Sequence, residues 1–232
     1  MVVIIDALDE GDDENLIDIL ATKCTSFPAN CHIVITTRPF QKILNAFQVD
    51  DNSEVKNHTV ELVKLELDNK CNRDDIAMFI CHDLCKLGLE SWPDESQVQA
   101  LVKEAGGLLI WVVTVCNYIR RFSAHPKKQQ QSIIDDHSSN LPSEAKLEKL
   151  YYTILSRCPW DDPDFRDMYQ KLLGAVIALW SPLPAITIKS LLQLDSSLDV
   201  PVCLRWLSPV LTGLSSDKGN KGPLQTLHPS FC

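Results

Sequence analysis

The feature that most restricts what this chain can fold into is its opening, Met1-Val-Val-Ile-Ile-Asp-Ala-Leu-Asp9, a β-branched apolar run that ends in carboxylates. Val and Ile are stiff at χ1 and pack well on a pleated surface. With no polar residue alternating through it, the run predicts a strand covered on both faces, the pattern of an interior strand of a parallel sheet. Leu16, Ile17, Ile19 and Leu20 follow at helical spacing. Ile33-Val-Ile-Thr-Thr37 predicts a second buried strand, closed by Arg38-Pro39 because proline drives its predecessor out of helical geometry. Strand, helix, strand in that order predicts a parallel pair, since parallel neighbours need a crossover between them. Phe40 to Phe47 predicts a further short helix and Thr59 to Leu65 a third strand, with the sheet region ending near Leu67.

The period then becomes helical. Ile76, Ile80, Leu84 and Leu87 fall on one face, with Asn72 as the expected N-cap and Asp74 and Asp75 in the first turn, where they suit the positive end of the helix dipole. Val98, Leu101, Val102 and Ala105 repeat the pattern up to Gly106-Gly107, and Leu108 to Arg121 reads as a more deeply buried helix with Arg120-Arg121 at its negative end. Ser123 to Pro142 is polar with a short helical piece, a connection inside an α-domain. Amphipathic helices are expected from Ser143, through Leu147, Leu150, Tyr151, Ile154 and Leu155, and again from Phe165 to Trp180. Ser181-Pro-Leu-Pro184 breaks the pattern, and short helices follow at Ile188 to Leu194 and Val202 to Leu207. Val210 to Leu214 and Leu224 to Leu227 flank the polar, Gly-containing stretch Ser215 to Pro223, as the arms of a hairpin would. Three helices followed by a hairpin predict a winged helix, and no repeat of a solenoid or propeller is present.

Charge and cysteine content remove several function classes. Residues 1–22 hold seven acids and no Lys or Arg, so that of a net charge of −9 only −2 is left for the other 210 residues. A negative balance disfavours non-specific binding to nucleic acid or to anionic membranes. Residues 143–232 carry nine cations against nine acids, and the helix expected near Ile188 has Lys189 alone, which is not a major-groove reader. No apolar run reaches the ~20 residues of a membrane helix, and the acids at Asp6, Asp9 and Glu10 do not fit a secretory leader. The chain is therefore expected to be cytoplasmic, with its nine cysteines reduced. Cys81-His82 and Cys85, with Cys71 nearby, flank the apolar stripe of one helix and read as packed thiols rather than zinc ligands, which need four donors at loop spacing. No nucleophile-elbow motif occurs.

The chemistry-bearing candidate is the end of the first strand. Four hydrophobic residues followed by Asp6-Ala-Leu-Asp9-Glu10 have the Walker B form, in which an apolar strand delivers a carboxylate to its tip. Asp6 there can hold Mg²⁺ through water, and Asp9 or Glu10 can orient or deprotonate a hydrolytic water. The plain alternative is a strand ending in a solvated acidic turn. A phosphotransferase with Asp-x-Asp on its first strand is a rival, but the spacing here is Asp-x-x-Asp.

Four segments taken in order, Val2-Val-Ile-Ile-Asp-Ala-Leu-Asp-Glu10, Ile33-Val-Ile-Thr-Thr-Arg-Pro39, Ala105-Gly-Gly-Leu-Leu-Ile-Trp111 and Leu227-His-Pro-Ser-Phe231, resemble the NACHT class of STAND signal-transduction P-loop ATPases, and among them the nephrocystin-type NACHT modules of fungal receptor-like (NLR-like) proteins. The resemblance spans nearly the whole chain. It implies an α/β plus α fold: residues 1–69 as the C-terminal part of a parallel-sheet P-loop NTPase domain, 70–158 as a helical domain, and 159–232 as a winged-helix domain truncated at its end. It implies Mg²⁺ and ATP or ADP as cofactors, with Asp6 on the metal and Asp9 and Glu10 as catalytic acids. Thr37 and Arg38 match the sensor on the next strand, where a guanidinium can read a γ-phosphate. Leu109 falls where the helical domain carries the proline of Gly-x-Pro against the base, and His228 matches a winged-helix histidine that touches the β-phosphate in the ADP-bound state.

The departure from the family is specific. A P-loop needs Gly-x-x-x-x-Gly-Lys-Ser/Thr, because successive backbone N–H groups and the lysine neutralise the phosphates. None of the eight glycines here is followed by lysine. In the family that loop lies upstream of the Walker B strand, so its cradle is expected to lie outside these residues, leaving the chain unable to bind or hydrolyse ATP well alone and leaving the Cys31–Thr37 strand with an open apolar edge suited to protein partners or self-association. Two further readings follow: a nucleotide-independent module that docks on full-length NACHT relatives, or a truncated product without function.

Overall fold

Strand β1 (Val2–Ile5) pairs in parallel with β2 (His32–Ile35) in a computed structural model, Val2 lying opposite His32 and Ile5 opposite Ile35. The structure describes residues 1–11, 14–23, 26, 28, 30–49, 60–67, 69–121, 125–137, 141–179, 181–194, 200–213 and 222–227. The chain divides into two units, Met1–Leu65 and Glu66–Cys232. By element content it is mixed α/β and mostly helical, with one small parallel and one small antiparallel sheet.

In the first unit, the crossover between the strands is α1 (Glu14–Lys23), and β2 is followed by α2 (Gln41–Ala46). Ile5, Ile33 and Ile35 pack against Leu8, Ile17, Leu20 and Ile43, so both helices sit on one side of the sheet. The other side is open: Val2 is 63%, Ile4 70% and Val34 50% exposed. This corrects the expectation of strands covered on both faces. A continuous apolar run permits a second covering layer, but the strand acquires one only if another element supplies it, and no described element of this unit does. The expected third strand is also corrected: residues 60–65 form no strand, and Val63 and Leu65 are exposed. Alternation alone does not make a strand, because the backbone N–H and C=O groups also need a ladder partner.

The second unit opens with α3 (Lys70–Leu84). Its N-cap is Asn69, whose Oδ1 accepts the Asn72 N–H at 2.8 Å, and not Asn72 as expected. Asn72 instead donates its side-chain amide to the carbonyls of Leu67 and, at 2.9 Å, Gly107. Next comes α4 (Glu95–Ala105), entered through a reciprocal capping box of Asp94 and Gln97. Gly107, at φ +83°, passes so close to Leu67 that an added Cβ would lie 2.2 Å from its carbonyl oxygen. Only glycine fits there. The buried helix α5 (Leu109–Arg121) follows, carrying Trp111, Tyr118 and Ile119 into the core, and then α6 (Pro126–His137) and α7 (Ser143–Leu155). The buried Gln130 is paired on both sides: Trp92 Nε1 donates to Gln130 Oε1 at 3.0 Å, and Gln130 Nε2 donates to the Gln97 carbonyl at 3.0 Å.

After α8 (Pro163–Ala178), capped by Asp162, a two-residue strand β3 (Leu183–Pro184) leads directly into α9 (Ala185–Leu191). Helix α10 (Val200–Leu207) and the antiparallel strands β4 (Leu211–Thr212) and β5 (Pro223–Thr226) complete the unit, in the sheet order β3-β5-β4. The hairpin arms thus form close to where the sequence places them. Strand β3 is too short to show a period in the sequence and contains a proline, which is tolerated at this edge position. Trp160 stands edge-on to Phe165 and Tyr169, with centroids 5.5 and 4.9 Å away. One apolar cluster runs from Ile76 to Leu224, continuous across the boundary expected at residues 158 and 159.

Candidate functional site

The parallel register sets what meets at the C-terminal end of the sheet. With Ile5 opposite Ile35, the next residues on each strand, Asp6 and Thr36, become neighbours. The Thr36 hydroxyl donates to Asp6 Oδ1 and accepts the Ala7 N–H at 2.9 Å. Ala7 takes a left-handed conformation, φ 52° and ψ 53°, which ends β1 at Ile5 rather than at Asp9 and folds Leu8–Glu10 into a 3-10 turn. That turn brings Asp9 back over the end of β2.

Asp9 Oδ1 accepts the backbone N–H of Arg38 at 3.0 Å, and Asp9 Oδ2 accepts Arg38 Nε–H at 2.5 Å. The Asp9 side chain is 3% exposed and that of Arg38 63%. The Arg38 backbone N–H first, and its guanidinium after it, hold the Asp9 carboxyl below the usual carboxylate range against the opposing effect of burial. Glu10 is the weaker partner, with Oε1 3.5 Å from Arg38 Nη2 and both groups solvated. Exposed pairs of that kind contribute ~0–1 kcal/mol, so Asp9 is what fixes Arg38. The guanidinium also lies over the Phe40 ring, 5.5 Å from its centroid. A cleft of about 410 Å³ adjoins this corner, lined by Asp9, Gly11, Ile17, Phe40, Lys42 and Ile43 among others.

Of the residues singled out from sequence, Asp6, Asp9, Glu10, Thr37 and Arg38 therefore sit at one sheet end. Thr37 turns its hydroxyl onto the Arg38 carbonyl at 3.0 Å, while Thr36, not selected from sequence, is the threonine that engages Asp6. The signal for Thr36 was present in the strand register, which follows once Val2 is set against His32. Leu109 begins α5 in the second unit and is half exposed. Its motif neighbour Gly107 has a local reason to be glycine, the close approach of Leu67. His228 lies outside the described residues.

The donor chemistry separates the two implied cofactors. Mg²⁺ is held by one or two carboxylates plus phosphate and water oxygens, and the exposed Asp6 carboxylate beside Thr36 fits that demand. A triphosphate does not fit the groups present. The sequence contains no Gly-Lys pair to cradle it, and Arg38 at the strand tips is bound by Asp9 and faced by Glu10.

The thiols divide by environment. Cys116 and Cys203 are fully buried and burial pushes each thiol up to about 12. Cys81 is partly buried and raised by the same cause, whereas Cys85, expected beside it in the core, is exposed. No protein-family profile, no curated protein and no solved structure matches this chain.

Proposed function

We propose that these residues belong to a nucleotide-dependent signalling switch of the NACHT-class STAND type, and that by themselves they bind and hydrolyse ATP poorly. The observation that carries this reading is the in-register parallel pairing of β1 and β2, which sets the Walker B-like acids beside Thr36-Thr37-Arg38 at one sheet end. An apolar strand ending in Asp6 and a neighbour ending in a cation are the parts that an NTPase needs for metal and terminal phosphate. Further support comes from the second unit, where the helices α8, α9 and α10 and the strands β3, β4 and β5, in the sheet order β3-β5-β4, are elements that a winged helix would use, after the helices α3 to α7. When bound, Mg²⁺ would supply charge neutralisation at the phosphates. Asp6 is the residue to hold it, and Glu10 is the acid left with solvent access to position a water. In such a switch, nucleotide exchange drives opening and oligomerisation.

The reading is tested by fusing a strand, a Gly-x-x-x-x-Gly-Lys-Ser loop and a helix ahead of residue 1 and titrating Mg-ADP by calorimetry. The folded fusion should bind in the micromolar range, and Asp6→Asn should weaken it about tenfold, whereas the 232-residue chain alone should bind no tighter than about 1 mM. A folded fusion that ignores nucleotide would remove the reading, and micromolar binding by the chain alone would contradict its second half.

A nucleotide-independent docking module is the second reading, favoured by the open outer face of β1 and β2, where Val2, Ile4 and Val34 are solvent-exposed. Capture by a complete NACHT protein, abolished by Val34→Lys, is the expected result. Retention of capture by that variant would exclude the sheet face.

A further inference from the structure

At the strand tips the Arg38 guanidinium is already occupied by carboxylates of its own chain. Its Nε–H donates to Asp9 Oδ2 at 2.5 Å, and its Nη2 lies 3.5 Å from Glu10 Oε1. A carboxylate and a phosphate oxygen compete for the same planar donors. The two partners are unequally fixed: the Asp9 side chain is covered, while most of the Arg38 side chain is in solvent. Asp9 also keeps a second bond, from the Arg38 backbone N–H at 3.0 Å, so the guanidinium can leave without dismantling the turn. The corner around Arg38 further includes the Asp6 carboxylate, held by Thr36, and Lys42 lines the adjoining cleft.

We infer that Asp9 and Glu10 act as an internal counter-anion that masks Arg38, so that the strand tips accept a phosphate-type anion only when the Asp9–Arg38 pair opens. The choice of anion rests on the reading of this site as a nucleotide-switch corner, and the masking is the regulation it adds. An approaching anion must displace one bound carboxylate and a second one nearby, in a corner where, among the described residues, Asp6, Asp9 and Glu10 outnumber Arg38 and Lys42. Substitution by asparagine at position 9 retains an oxygen for the Arg38 backbone N–H and replaces the charged acceptor of the guanidinium by an NH2 group, which cannot accept from it.

The test uses the full chain with inorganic pyrophosphate as probe, titrated by calorimetry at constant ionic strength. The pair D9N/E10Q should bind pyrophosphate about tenfold more tightly than the unaltered chain, and adding R38Q should return the affinity to its starting level. Equal affinity in D9N/E10Q would overturn the inference. So would a gain that survives R38Q, because that is general relief of repulsion rather than unmasking. If D9N/E10Q fails to fold by circular dichroism, the unaltered chain decides: Arg38 Nε–H should exchange with solvent at least about tenfold more slowly than that of the exposed Arg166, and equal rates would overturn the masking. An Arg38-dependent gain stands even where a fused phosphate loop confers no nucleotide binding, and a bound fusion stands even where no gain is seen.

Discussion

Residues 66–227 bury Trp111, Tyr118, Ile119, Leu150 and Leu172 almost completely in one continuous core, whereas the apolar cluster described in residues 1–65 is small, built on Leu8, Ile17, Leu20 and Ile43, and Ile4 is left 70% exposed. The first unit nevertheless contains a bonded polar corner at its strand tips, in which Thr36 holds Asp6 and Asp9 holds Arg38. The difference teaches where each unit obtains its order. A two-stranded sheet is marginal by itself, so in the first unit the strand-tip bonds carry a share of the ordering that apolar burial carries in the second.

The largest effect is expected where the core is deepest. Trp111→Ala in α5 should cost the second unit ~3–5 kcal/mol in denaturant unfolding, through lost burial and the cavity left behind. A loss below ~1 kcal/mol would mean that the core is not the packed structure described. Ile17→Ala, in the small cluster under β1 and β2, should cost about 2 kcal/mol, the low end for such truncations because the site is open to collapse. Its effect should be confined to amide exchange in residues 1–65, and spread into α5 would erase the contrast between the units. Asn69→Ala removes the α3 N-cap and should cost about 1 kcal/mol, while Asn72→Ala should act through the Leu67 and Gly107 carbonyls instead. The smallest effect is acid sensitivity. Because the folded-state pKa of Asp9 is lowered, its contribution is present above the unfolded value of about 3.9 and is lost as pH falls through the folded value. Amide protection in the first unit, taken relative to the intrinsic exchange rate at each pH, should therefore fall below about pH 4, and Asp9→Asn should flatten that dependence. An unchanged acid profile in the variant would take Asp9 out of the account.

Much of this was legible in the sequence because it depends on local pattern. The β-branched runs around Ile4 and Val34 gave strands, and the stripes through Ile76, Val98 and Leu150 gave helices, since each face is buried against one core. What failed depends on partners. Nothing in Val2-Val-Ile-Ile5 says whether a second layer covers it, and nothing in Val63 and Leu65 says that no neighbouring strand is there to pair. Two asparagines three residues apart both suit an N-cap, and the chain uses the earlier. At the site, the acids and Arg38 were readable from composition and spacing, but their mutual engagement was not. It requires the left-handed turn at Ala7, a conformation that alanine seldom adopts and that no residue type there announces.

The most direct test is amide exchange on the folded fusion carrying a phosphate loop ahead of residue 1, with and without Mg-ADP. The account predicts that nucleotide slows exchange at residues 6–10 and 36–38 together, since they form one corner. Protection that bypasses both segments, or reaches only one of them, would contradict it.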